Sequence, residues 1–196
     1  MRLEHCHNFH DFRLLAKKRL PGPIFNYIDG AADDEKTYKR NTNSFDSVDL
    51  IPNVLNGTEE IDMSVEIMGQ KLNMPIYCSP TALQRLFHFQ GEEGVAEVAS
   101  EFGTMFGVSS LGTTSLVDLR EKYKTPQCYQ FYFHKDRGLN RSMLNSAKDA
   151  GVDIMMLTVD TITGGNRERD LRTGFSIPLR LCLLYTSDAA DEHSWG

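Results

Sequence analysis

The sequence predicts an α/β chain, about the first four β/α units of a TIM-type (β/α)8 barrel, preceded by N-terminal helices and a β-hairpin. Three observations predict it. Short apolar runs that do not alternate, the pattern of strands buried on both faces, begin at Ile76, Met105, Tyr129 and Ile154. Amphipathic segments of helical period lie between them. The runs recur roughly every 25 to 30 residues, and a closed barrel takes about 250 residues, so about half of one fits here. An open doubly wound sheet is the competing architecture, but no Gly-x-Gly-x-x-Gly follows the first strand, and the barrel is preferred.

The elements follow in order. Asn8 with Asp11 three residues on, and Phe9, Phe12, Leu15 and Ala16 at helical spacing, predict a capped helix running toward Pro21. A second helix starts at Pro21-Gly22-Pro23 and carries Ile24, Phe25, Tyr27 and Ile28, and the charged segment 33–43 predicts a third, solvated one. Alternation across 61–74, around Met68-Gly69-Gln70, predicts a hairpin plugging one end of the larger fold. Strands are then expected at 76–78, 105–108, 129–132 and 154–159. Helices are expected at 92–102, at 115–123 with Ser115-x-x-Asp118 as a capping box, and at 139–150 ending at Gly151.

Residues 182–196 break this pattern and carry the only tryptophan, Trp195. Residues 182–192 read CLLYTSDAADE, the translation of a transposon-end adapter used in sequencing libraries, so 182–196 are read as a processing scar and 1–181 as the domain. The formal charge of −6 argues against a nucleic-acid partner, which calls for a basic face. Setting aside Asp188, Asp191 and Glu192 halves that charge and weakens the argument. No apolar run reaches signal-peptide or membrane-spanning length, and the expected location is the cytoplasm or the inner membrane face. Cys6, Cys78, Cys128 and Cys182 are far apart with no Cys-x-x-Cys, which fits reduced thiols and not zinc or a disulfide framework.

Barrel enzymes build their sites at the C-terminal ends of strands. Here those ends read Ser79-Pro80-Thr81-Ala82, Ser109-Ser110, Gln130 with Tyr132, and Thr158-Val159-Asp160-Thr161. Any one of these residues alone is an ordinary turn or cap residue. Four polar ends together, with no acidic cluster, suit a planar heteroaromatic cofactor with carbonyl and imino edges better than a divalent metal. Arg167 is a natural anion clamp, since its guanidinium matches a carboxylate in a bidentate pair. Asp160, ending an apolar strand, is expected to orient a histidine or to accept several hydrogen bonds. No histidine is an evident match. His5, His7 and His10 form a metal-like run with Cys6 on an extended N-terminus, where such residues lie in solvent, and His88 and His134 are expected at the surface or in loops.

These residues resemble the FMN-dependent 2-hydroxy-acid oxidase and dehydrogenase family, which includes glycolate oxidase, flavocytochrome-type lactate dehydrogenase and mandelate dehydrogenase. The similarity covers nearly all of 9–178 and is strongest at 25–35 (FNYIDGAADDE), 74–82 (MPIYCSPTA), 130–137 (QFYFHKDR) and 157–161 (LTVDT) with Arg167-Glu168. The resemblance implies that Thr81 and Ala82 approach the flavin through their backbone, and that Ser109, Gln130 and Thr158 hydrogen-bond its isoalloxazine edge. It implies Tyr27 and Arg167 for the substrate carboxylate, Tyr132 near the substrate hydroxyl, and Asp160 holding a catalytic histidine. In such enzymes the histidine acts as base while two electrons pass from a 2-hydroxy acid to the flavin, then to oxygen, a quinone or a cytochrome. The full-length protein is implied to be a homo-oligomer.

The family's catalytic histidine, second substrate arginine, flavin lysine and phosphate segment have no matching motif in this chain, which is therefore expected to be inactive by itself. Ser79, Ile162 and Asn166 depart from the residues common at their positions. Leu111, at a position implied to touch the substrate side chain, favours an acid larger than the smallest. Two other readings stay open: a half-barrel interaction module without catalysis, and a flavin barrel with isomerase chemistry.

Overall fold

Two Pro residues, Pro75 and Pro80, bracket the first expected strand, and neither can donate to a ladder. In the computed structural model, which describes residues 2–57, 59–160 and 163–176, that segment is accordingly reduced to a single parallel bridge from Cys78 to Phe106. The 182–196 tail and Thr161 lie outside the described residues. Three full parallel strands follow in the order β3-β4-β5: Phe106–Ser109, Gln127–Tyr132 and Ile154–Thr158. Helix α5 (Leu116–Lys122) connects β3 to β4, and α6 (Arg137–Asp149) connects β4 to β5, the alternation of a β/α barrel. An earlier helix, α4 (Glu92–Glu101), precedes β3, and a hairpin of β1 (Val65–Ile67) and β2 (Gln70–Leu72) precedes them all.

The described residues divide into two compact units, one of residues up to 51 with those from 164 on, the other of residues between 52 and 163. In the second unit the sheet separates two chemistries by its period of two. Phe106, Val108, Tyr129 and Phe131 turn to one face, where Ala96 and Ala99 of α4, Leu119 of α5 and Ala147 of α6 cover them. The opposite face is layered. Near the strand starts, Cys128, Ile154 and Met156 pack with Met105 under Leu72, Val65 and Ile67, so the hairpin does close that end. Near the strand ends the same face turns polar. Met155, Leu157 and Val159 are exposed, against the expectation of a strand buried on both faces. Buried β3 and β4 do meet that expectation.

Helix boundaries shift for local reasons. Asn8 caps α1 (Phe9–Arg19) by accepting from the Asp11 amide at 3.0 Å, while Asp11 accepts from the His7 amide at 3.0 Å. Helix α6 starts two residues earlier than expected, because the Asp136 carboxylate accepts from the amides of Gly138 and Leu139 at 2.7 and 3.1 Å. The capping box at Ser115 is not formed: its side chain caps nothing, and α5 begins at Leu116.

In the first unit, α2 (Gly22–Asp29) buries Ile24 and Phe25, as its spacing predicts. Helix α3 (Lys36–Asn43) is shorter than expected because Asp33 and Glu35 take left-handed backbone angles, φ 49° and 56°. A short helix with no sequence forecast, α7 (Glu168–Thr173), carries Arg169, which pairs with Asp29 at 2.8 Å and with Glu35 at 2.5 Å. Asp29 also pairs with Arg13 of α1 at 2.5 Å, so one carboxylate joins three helices. No helix among the described residues is long and apolar enough to cross a membrane.

Candidate active site

Register decides which strand-end side chains share a face. Ser109 pairs with Gln130, and Tyr132 with Thr158, so all four stand on the face whose other end the hairpin covers. A continuous polar ladder crosses the three strands. The Ser109 hydroxyl donates to Gln130 Oε1 at 3.2 Å, and Gln130 Nε2 donates to Thr158 Oγ1 at 2.7 Å. Ser109 and Gln130 are buried, 6% and 5% exposed, so the ladder is fixed by packing on one side and open only at its edge. Tyr132 is half-buried beside Thr158.

The segment 78–80, which leads into Thr81 and Ala82, approaches this face closely. Gly107 of β3 allows it, since a Cβ there would stand 2.7 Å from Pro80 Cδ and 3.1 Å from the Cys78 carbonyl oxygen. The Gly107 amide donates to that carbonyl at 2.7 Å. Thr81 is exposed and Ala82 half-buried, and the Gln84 side chain donates to the Thr81 carbonyl at 3.2 Å. Ser110, which follows Ser109 in the chain, has a buried Oγ with no hydrogen-bond partner among the described residues.

Asp160 departs from expectation. It is exposed and makes no hydrogen bond among the described residues, because β5 ends at Thr158 and Asp160 lies beyond it. The anticipated cost of burying it therefore does not arise. His5, His7 and His10 are exposed, His88 lies in an exposed turn, and His134 is half-buried in the loop after β4.

Tyr27 and Arg167 meet in the other unit. The guanidinium of Arg167 lies 5.1 Å from the centre of the Tyr27 ring and donates to the Tyr27 carbonyl oxygen. Asp170 accepts from Arg167 Nε at 2.6 Å, and Phe175 stacks on Tyr27 with ring centres 4.2 Å apart. These bonds use two of the five guanidinium N–H donors, and no others are committed among the described residues. Sequence reasoning missed Asp170, although the i, i+3 spacing from Arg167 was there to be read. It also missed Glu92, a fully buried carboxylate at the start of α4 that binds two of the site's loops. Its only sequence signal was a carboxylate in a first helical turn.

Comparison with known proteins supplies the family. The sequence profile described as FMN-dependent dehydrogenase matches residues 16–196. The chain is 39% identical over 178 residues to the L-lactate oxidase of Streptococcus iniae, covering 90% of this chain and 44% of that protein. It is 34% identical over 176 residues to the glycolate oxidase of Spinacia oleracea, covering 90% and 48%. Among solved structures, a lactate oxidase of Pediococcus acidilactici superposes with a TM-score of 0.84 at 32% identity, over 96% of this chain and 53% of that one. A mandelate oxidase superposes with a TM-score of 0.80 at 30% identity, over 85% and 50%. The chain thus spans about half the length of the curated relatives it matches. Profile, relatives and parallel-strand architecture agree: this chain belongs to the FMN-dependent dehydrogenase family.

Proposed function

We propose that this chain carries the flavin-edge and carboxylate-binding portion of an FMN-dependent oxidoreductase for small 2-hydroxy acids of the lactate or glycolate type. The observation that carries the reading is the ladder Ser109–Gln130–Thr158 across three adjacent parallel strand ends. A flavin presents alternating carbonyl and imino groups along one edge, and a row of neutral donors and acceptors answers them without a net charge. The 78–80 segment that leads into Thr81 and Ala82, packed against the same face at Gly107, supports the fit.

When bound, FMN supplies a sink for the two electrons released as a 2-hydroxy acid becomes a 2-oxo acid. The chain's own residues bind and orient. Arg167, already braced by Asp170 and Tyr27, offers its remaining N–H donors to the substrate carboxylate. Tyr27 shares that role, and Tyr132 directs its hydroxyl to the substrate hydroxyl. Asp160 holds the imidazole of a base that this chain does not supply, which fits an exposed carboxylate with no partner among the described residues. The 196-residue chain by itself is inactive, and the complete protein is a homo-oligomer that passes electrons to oxygen, a quinone or a cytochrome. The relatives' greater length supports the inactivity of the shorter chain, and their names as lactate and glycolate oxidases support the class of acid.

Gln130→Leu tests the ladder in a protein of the relatives' length, because it leaves the hydroxyls of Ser109 and Thr158 without their shared partner. FMN affinity is expected to fall about tenfold, the loss of roughly one to two hydrogen bonds. Unchanged affinity contradicts the assignment of the flavin edge to these three residues.

A further inference from the structure

Glu92 is 0% exposed, yet none of the described basic side chains pairs with it. Four neutral donors hold it instead. Oε1 accepts from the amides of Gln84 at 3.3 Å and Thr113 at 2.8 Å, and Oε2 accepts from the hydroxyls of Thr113 at 2.6 Å and Thr114 at 3.0 Å. Burial alone would push its carboxyl upward, but the bonds from Thr113 and Thr114, with its own helix-start amide, hold it below the usual carboxylate range. A carboxylate buried without a cation is costly, and packing alone would be served better by an apolar side chain. What only an ionised carboxylate offers is acceptance on four sides.

The donors come from two loops that both lead to the candidate flavin edge. Gln84 reaches back through its side chain to the Thr81 carbonyl at 3.2 Å. On the other side, Gly112 donates to the Ser109 carbonyl at 2.9 Å and Leu111 to the Ser109 hydroxyl at 3.1 Å. The loops are also tied directly, Leu83 amide to Leu111 carbonyl at 3.1 Å and Arg85 amide to Thr113 hydroxyl at 3.1 Å. Space is committed as well: a Cβ on Gly112 would stand 3.3 Å from Glu92 Oε1.

We propose that Glu92 is a positioning residue, locking the 81–84 and 109–114 loops into one preformed cradle for the flavin edge. The proposal rests on the flavin reading above. It touches no ligand itself and acts through Gln84, Thr113 and Thr114.

The test uses a protein of the relatives' length, with FMN affinity measured by flavin fluorescence and amide exchange read at Gln84 and Thr113 against Tyr129 and Phe131 in β4. Glu92→Ala is expected to weaken FMN binding about tenfold or more and to speed exchange at Gln84 and Thr113 similarly, while β4 stays protected. Glu92→Gln, which keeps an oxygen for both amides but loses the acceptor for the Thr113 and Thr114 hydroxyls, restores only part of each. KM for the hydroxy acid at saturating FMN stays within about threefold of wild type, since the carboxylate clamp is untouched. Thr114→Val removes one donor while preserving shape, and weakens FMN binding about threefold even if the alanine variant fails to fold. Exchange that accelerates equally through β4, or FMN affinity unchanged in the folded variants, overturns the proposal. A wild-type protein that binds no FMN overturns the flavin reading instead, and local exchange then decides the loop coupling alone.

Discussion

Arg167 is held in one orientation by its neighbours. Asp170 and the Tyr27 carbonyl fix two edges of its guanidinium, and the Tyr27 ring, itself stacked on Phe175, supports the cation from one side. In the role proposed for it, a planar fork held this way would lose little freedom on gripping a carboxylate, which a flexible lysine could not match. Arg167→Lys keeps the charge but not the fork. In a protein of the relatives' length it is expected to raise KM for the hydroxy acid and lower kcat, reducing kcat/KM at least about tenfold, or ~1.4 kcal/mol. Steady-state kinetics check this, and a kcat/KM within about twofold of wild type removes Arg167 from the carboxylate site. Asp160 needs a different account from the one its sequence position invites. Placed beyond the end of β5 and exposed, it is a carboxylate available for a partner and not one stabilised by burial.

At the level of elements, Asp29 joins α1, α2 and α7 through Arg13 and Arg169, and Glu35 adds a second acceptor for Arg169. Hydrogen bonds from Arg13, and then Arg169, hold the Asp29 carboxyl below the usual range, and the Ala31 amide with Arg169 does the same for Glu35. A depressed carboxylate contributes stability that is complete above its unfolded value of about 4 and is lost as pH falls through the folded value. Thermal unfolding followed from neutral pH downward is therefore expected to show Tm falling steeply below about pH 4. Asp29→Asn is expected to cost about 1–3 kcal/mol at pH 7 and to flatten that acid limb. Superimposable acid limbs for the variant and wild type contradict the network's role.

Elements with a strong local signal were legible in the sequence: the Asn8 cap, the Val65–Leu72 turn at Met68-Gly69, and the apolar runs of β3 and β4. What was not legible depends on contacts distant in sequence. Glu92 owes its burial to donors from residues 84, 113 and 114, and α7 to a carboxylate on α2. The ladder lay between these cases. Ser109, Gln130 and Thr158 could be named from strand ends, but only the register shows that they share one face and join hand to hand.

For the whole molecule, the second unit divides one sheet face into an apolar layer closed by the hairpin and a polar layer left at the strand ends. That division is what a barrel enzyme needs, a packed floor beneath a chemically equipped rim. In the proposed role this rim receives the edge of FMN and serves the oxidation of a small 2-hydroxy acid. Anaerobic addition of L-lactate or glycolate, monitored by flavin absorbance, tests it most directly on two samples: the 196-residue chain and a protein of the relatives' length, each incubated with FMN and freed of excess. The longer protein is expected to stay yellow and to bleach on addition of the acid, while the 196-residue chain is expected to retain no flavin. A longer protein that holds FMN but is bleached by no short 2-hydroxy acid would contradict it, as would a 196-residue chain that bleaches by itself.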